Sequence, residues 1–267
     1  MKSSSFTISN LFSKGCQTLS LGLVLAGTAE GGSGPAPKSP VPDATAEAEA
    51  EGLFGGIGLE FTTGYDSHYV FRGELLQKNT AFSELSYDLE INDALSLNIT
   101  PWFLLDTDDD YTEFDLTSAL TLTTGAWEWS VGYAGYYYPR GGEGGGEGLN
   151  DEQEMSVSVA RDLGWSFRAT ALAAYSFTRD GYYFEGKIER PIEVTNALTL
   201  TPSVVVGADT DYFDEGTDFN HLWLLLEADY KLTPWCSLRP YVAGNFPFGH
   251  LDDTDLFFGG VKLTVTF

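Results

Sequence analysis

The feature that most constrains this chain is a two-residue rhythm. From Ile57 onward, apolar side chains recur at every second position in one segment after another. A strand turns successive side chains to opposite faces, so this period means strands with one apolar and one polar face. Ile57, Leu59 and Phe61 share one side, and then Leu85, Tyr87, Leu89 and Ile91 alternate with Glu84, Ser86, Asp88 and Glu90. The pattern continues through Leu95, Leu97, Ile99 and Phe103, through Phe114, Leu116, Leu120 and Leu122, and through Trp127, Trp129, Val131, Tyr133 and Tyr137. Further segments centre on residues 155–159, 165–177, 182–188, 198–206, 222–230, 238–246 and 257–267, about twelve segments in all. No stretch carries the period of a long amphipathic helix.

The connections alternate in length. Tight turns are expected at 91–93, 124–126, 161–164, 193–196 and 231–234, where Asn, Asp, Gly or Pro supply the turn chemistry. Between them fall longer connections at 66–79, 106–110, 138–152, 209–218 and 245–255, and only the link near 179–181 is short. Short turns at one end and long polar loops at the other are the signature of an outer-membrane barrel. The sequence therefore predicts an all-β fold: a transmembrane antiparallel up-and-down β-barrel of about 12 strands, with short periplasmic turns and longer extracellular loops. Related stretches at 93–103, 196–206 and 236–244 each open after a tight turn and carry Pro101, Pro202 or Pro240. Because proline removes a ladder hydrogen bond, a bulge is expected at each of the three.

Alternation alone also fits a soluble sandwich. Two features favour lipid. Aromatic residues gather at strand ends: Tyr65, Tyr69, Phe71, Trp102, Phe103, Tyr111, Trp127, Trp129, Tyr136, Tyr137, Tyr138, Trp165, Tyr175, Phe177, Tyr182, Tyr183, Phe184, Trp235, Phe246, Phe257 and Phe258. Amphipathic rings so placed suit the two lipid–water interfaces. The opposite face carries Glu84, Asp88, Glu113, Asp115, Glu128, Arg168, Glu185, Lys187, Glu189, Glu227, Asp229, Arg239 and Lys262, too polar for a soluble core. Apart from Glu189, these residues are the expected pore-lining set.

The formal net charge is −25, from 39 acidic and 14 basic residues, which repels nucleic acid and excludes it as a partner. Lys2, Lys14, the apolar run at 19–27 and the small residues Gly27 and Ala29 read as an export signal. Three regions follow: a signal peptide at 1–29, a disordered Pro/Ala/Glu-rich arm at 30–55, and a barrel at 56–267. Cleavage after Ala29 removes Cys16 and leaves Cys236 alone, so the mature protein is expected to fold without a disulfide.

No constellation carries catalysis. His68, His221 and His250 lack an orienting partner in sequence. The acidic run from Asp106 resembles a calcium loop, but Tyr111 stands where an EF-hand needs Gly and Thr117 where it needs Glu. A weak divalent-ion site there remains the alternative to a solvated loop. The Gly/Glu run within 138–152 has no following Lys-Ser/Thr and is not a phosphate cradle. No catalytic residue, metal site or cofactor is expected.

The closing stretch at 259–267, GGVKLTVTF, places Val261, Leu263, Val265 and Phe267 on one face and Lys262, Thr264 and Thr266 on the other. A terminal aromatic preceded by alternating apolar residues resembles the last strand of Gram-negative outer-membrane proteins. That resemblance implies an assembly signal read by the barrel-assembly machinery, and residence in the bacterial cell outer membrane. Residues 58–73, GLEFTTGYDSHYVFRG, resemble the start of porins of the TorF kind, which carry a Tyr/Phe-Arg-Gly element after the first strand. The Pro/Glu-rich arm departs from that family. The function expected is a porin-like channel for passive diffusion of small solutes, favouring cations or neutral solutes over anions because the inner charges are mostly acidic. The alternative is a structural or surface-binding barrel without an open pore, its inner charges paired across the interior. Outer-membrane lipid, lipopolysaccharide, the assembly machinery and small solutes are the expected partners.

Overall fold

The structure, a computed structural model, describes residues 57–108, 111–140, 151–249, 251 and 254–267. The signal peptide and arm expected before residue 56 lie outside the described residues. The described chain forms β1 (Leu59–Phe71), β2 (Glu74–Asn92), β3 (Leu95–Asp106), β4 (Thr112–Thr124), β5 (Trp127–Arg140), β6 (Glu152–Gly164) and β7 (Phe167–Ser176). It continues with β8 (Gly181–Glu189), β9 (Ile192–Thr195), β10 (Leu198–Thr210), β11 (Thr217–Thr233), β12 (Cys236–Pro247) and β13 (Leu256–Thr266).

Consecutive strands pair antiparallel except β8 and β9, and β13 returns to β1, matching Thr266 with Glu60 and Gly260 with Asp66. This closes the sheet into a cylinder, and among the described strands the short β9 alone is paired on one side only. Both β8 and β9 lie along β10, with Glu189 opposite Ser203 and Ile192 opposite Leu200 in one register that shifts only at the end of β9, between Leu198 and Thr199. They are one wall strand interrupted at Arg190 and Pro191. The wall is thus a 12-strand barrel with one strand split in two.

The distribution of side chains is inside-out relative to a soluble protein. Along β4, Phe114, Leu116, Leu120 and Leu122 are exposed while Glu113, Asp115, Thr117 and Thr121 are buried. The same holds on β6, where Met155 and Val157 are exposed and Glu154, Ser156 and Ser158 are buried. Only an apolar solvent favours this arrangement, because water would disfavour the outer face and the barrel wall satisfies its own backbone.

Leu59 and Thr266 sit at the end of the barrel that carries the short turns, which is the periplasmic end in barrels of this kind. Trp127, Trp129, Trp165 and Trp235 ring that end on the outside. At the loop end, Phe114 packs on Tyr137, Tyr175 on Phe177 and Tyr182, and Phe246 on Phe257. Several aromatics expected at the interfaces do not face lipid. Tyr69, Phe71, Trp102, Tyr111, Tyr136, Tyr183 and Phe258 are buried inside the barrel.

Two further expectations are corrected. No register shift occurs at Pro101, Pro202 or Pro240. Instead the ladder skips on one side only: β2–β3 pairing passes from Trp102 to Ile99, and β11–β12 pairing from Tyr241 to Leu238. A strand residue bonds one neighbour at a time, so the missing proline N–H removes one rung without displacing the strand. The turn expected at 161–164 belongs to β6, and the reversal falls at Trp165 and Ser166, with φ of 53° and 62°. Two successive left-handed residues match the twist of a two-residue hairpin.

Candidate functional site: the first hairpin and the inner face

The connection expected as a long outer loop at 66–79 is the end of the β1–β2 hairpin, and it turns into the barrel. β1 pairs with β13 only as far as Asp66, and β2 pairs with β3 only from Thr80. Between these points the two strands pair with each other alone, with a register shift at Tyr69 and Val70 and a left-handed Asn79 (φ 54°) at the bend. Arg72 and Gly73, with φ of 51° and 91°, form the tip.

A wall strand has one face in lipid, whereas this tip is buried on both. Tyr69 and Phe71 pack with Phe82, Trp102, Leu104, Tyr111, Ala134 and Tyr136 from the β2–β5 wall. Val70, from the other face of the same strand, packs with Val205, Trp223, Tyr241, Ala243 and Phe258 from the β10–β13 wall. The hairpin therefore lies across the lumen at the loop end, clamped between two walls.

Arg72 fixes the tip to the far side. Its Nη1 and Nη2 donate to Oε1 and Oε2 of Glu154 on β6, each at 2.8 Å. Tyr212 donates to Glu154 Oε1 at 2.5 Å, and Tyr136 donates to Oε2 at 3.3 Å. The guanidinium carbon lies 4.2 Å from the Tyr183 ring centroid and 4.8 Å from those of Phe71 and Tyr212. Parallel forked bonds and aromatic faces are the two modes that suit a planar cation. Both side chains of the pair are almost wholly shielded, at 1% and 2% exposure. Asn245 Nδ2 adds a bond to the Gly73 carbonyl at 2.8 Å. A Cβ on Gly73 would come within 2.7 Å of His221 Cβ, so the tip admits only glycine at this left-handed position.

Beside the tip, Arg179 donates to Glu152 through Nε at 2.9 Å and Nη2 at 2.6 Å, and its guanidinium lies 4.8 Å from the Tyr212 ring. Tyr111 donates to Glu113 at 2.7 Å, and Asp115 follows on the same face of β4.

Nearer the short-turn end, the inner charges form separate clusters. Glu227 accepts from Arg239 at 2.7 Å and from Lys262 at 3.0 Å, and Asp229 lies 3.8 Å from Arg239. Arg168 pairs with Glu128, and with Asp162 at 3.2 Å. Lys187 lies 3.2 Å from Glu189. Asn98 donates to Asp88 at 2.8 Å, and Tyr183 donates to Glu185 at 3.0 Å. Glu84 lies opposite Thr62 and Trp102, two residues along β2 from the buried Phe82 and Ser86. The expected pore-lining residues thus sit on inner faces, but in several clusters at different depths.

Arg72, Glu152 and Glu154 were missing from the expected set. Glu152 and Glu154 obey the alternation of β6, which reaches further toward the loop end than the apolar run from Met155 suggests. For Arg72 the available signal was its isolation, as the only Lys or Arg in the stretch 58–77. Of the histidines, His68 Nδ1 lies 3.2 Å from Ser67 Oγ, while His221 is bonded to Asn220 and stacked on Tyr183. His250 lies outside the described residues. On the closing strand, Val261 and Leu263 are exposed while Lys262 and Thr264 are buried, and Val265, Thr266 and Phe267 are half-buried. Phe267 N–H bonds the Leu59 carbonyl at 2.8 Å.

This closed, apolar-sided and polar-cored sheet has the fold of the bacterial outer-membrane β-barrels. The chain is similar to an outer-membrane channel from Pseudomonas putida F1, with a TM-score of 0.53 and 11% identity, covering 84% of this chain and all of that one. It is also similar to the KdgM porin solved in complex with disordered oligogalacturonate, with a TM-score of 0.51 and 8% identity, over 78% of this chain and 98% of that one. No family model and no curated protein sequence matches the chain. The likeness to porins of the TorF kind rests on residues 58–73, whose Phe71, Arg72 and Gly73 make the hairpin tip.

Proposed function

We propose that the chain is a porin-like channel of the bacterial outer membrane that passes small solutes by passive diffusion and prefers cations. The inward hairpin is its constriction. The observation that carries this reading is the acidic excess of the inner face. Glu227, Glu128, Glu154 and Glu152 are matched by cations, whereas Glu113 accepts from the Tyr111 hydroxyl and Asp88 from the Asn98 amide. A lumen of this sign raises the local concentration of cations and repels anions. The fold shared with porins and channels supports the reading without naming a solute. In it, β13 engages the barrel-assembly machinery, and the acidic outer connections face lipopolysaccharide through bridging cations.

A second reading has its own support. Arg72, Arg168, Lys187, Arg239 and Lys262 are all ion-paired, and the hairpin fills the loop end, as in a barrel that is structural or surface-binding. Planar-bilayer recording of the purified protein separates the two. Current with a reversal potential on the cation side of a salt gradient is the expected result. Absence of current at every voltage, with correctly folded protein, would overturn the channel.

A further inference from the structure

The environment of Arg72 is a complete receptor for a planar organic cation, and its present occupant is part of the protein itself. A carboxylate presents both oxygens in one plane, two phenol hydroxyls hold that carboxylate, and aromatic faces lie within 5 Å of the guanidinium carbon. Glu154, Tyr136, Tyr183 and Tyr212 belong to the barrel wall and its β10–β11 connection, so the receptor stays in place when the hairpin does not. The hairpin is joined to the wall differently. Beyond Asp66 and Thr80 it has no ladder to either neighbour, and the Arg72 fork is what ties its tip to Glu154 on the far side.

We propose that this cradle is a binding site for guanidinium-type organic cations, occupied by Arg72 as a tethered competitor, and that a cationic solute taking its place releases the hairpin from the lumen. Release as an opening step rests on the channel reading; the binding site does not. A free ligand must outcompete a side chain of high effective concentration, so the native barrel should respond only weakly to low concentrations. Without Arg72, Glu154 is left buried and unpaired, and an added cation should restore what was lost.

The test uses the refolded full-length barrel with Arg72→Ala, and Arg72→Ala combined with Glu154→Gln, in methylguanidinium chloride against sodium chloride at equal ionic strength. Methylguanidinium at several times its Kd should raise the Tm of Arg72→Ala by about 2–4 °C. Neither the native chain nor the double variant should shift. An equal response in all three, or none in Arg72→Ala, overturns the site. If Arg72→Ala refolds poorly, its refolding yield with and without methylguanidinium reads the same binding: rescue supports the site, and no rescue overturns it. In bilayers, Arg72→Ala should conduct more than the native chain and keep that gain when methylguanidinium is added, whereas the native chain should gain conductance only at methylguanidinium concentrations high enough to displace Arg72; a native chain that conducts but gains nothing overturns the release step. If no variant conducts while the Tm shift is present, the cradle stands and the channel reading fails.

Discussion

Glu227 shows how one buried carboxylate can hold a barrel seam together. Arg239 on β12 and Lys262 on β13 lie directly opposite each other, and Glu227 on the other side of β12 binds both. Like charges opposed across a ladder are unfavourable, so the carboxylate is what allows the pair. Glu227→Ala leaves two shielded cations facing each other, and the loss should be about 3–5 kcal/mol, measured by urea unfolding of the barrel refolded in lipid. Arg72 differs in that its partner lies 82 residues away, across the lumen. Nothing in the local sequence announces that contact. The Tyr69, Phe71 and Arg72 stretch reads equally well as an interfacial girdle with a snorkelling cation, and only the far wall decides otherwise.

At the scale of the strand, the two-residue period carried most of the information. The alternation it gives along β4 is the one the structure has, because a one-residue slip would drive every apolar side chain into the lumen at once. Leu120→Arg, on the outer face of β4, should therefore cost about 2–4 kcal/mol in lipid, while Thr121→Ser on the inner face should be nearly neutral in the same urea titration. Elements where the period is silent were read less well. Proline chemistry suggested bulges, but in a wall whose strands bond left and right alternately the missing donor is absorbed as one skipped rung. At Pro191, with Pro202 on the facing strand, the same chemistry splits the strand into β8 and β9. The Asp162 to Gly164 stretch carries turn residues, yet the twist of the hairpin placed the reversal one step later, at Trp165 and Ser166.

Across the whole molecule, the formal charge of −25 predicts how selectivity responds to salt. Fields from wall carboxylates are screened over about 10 Å at 0.1 M and about 3 Å at 1 M. Cation preference in the channel reading should be pronounced at the lower concentration and fall toward unity at the higher, read as a reversal potential that shrinks at a constant tenfold gradient. A preference unchanged by salt would place selectivity in steric or hydrogen-bond contacts instead. Barrel class and the number of wall strands were legible because each is a sum over many residues. The path of the first hairpin was not, since it depends on one bend at Asn79 and one distant fork.

That hairpin has a further consequence for how the barrel is built. Up to Asp66, β1 is half of the seam with β13; past Asp66, the same strand crosses the interior. Closing the wall and narrowing the lumen are therefore set by one continuous piece of backbone. A shift of the β1–β13 register by one pair would carry the hairpin with it and pull Arg72 off Glu154, so the seam sets the position of the constriction as well as the closure of the wall.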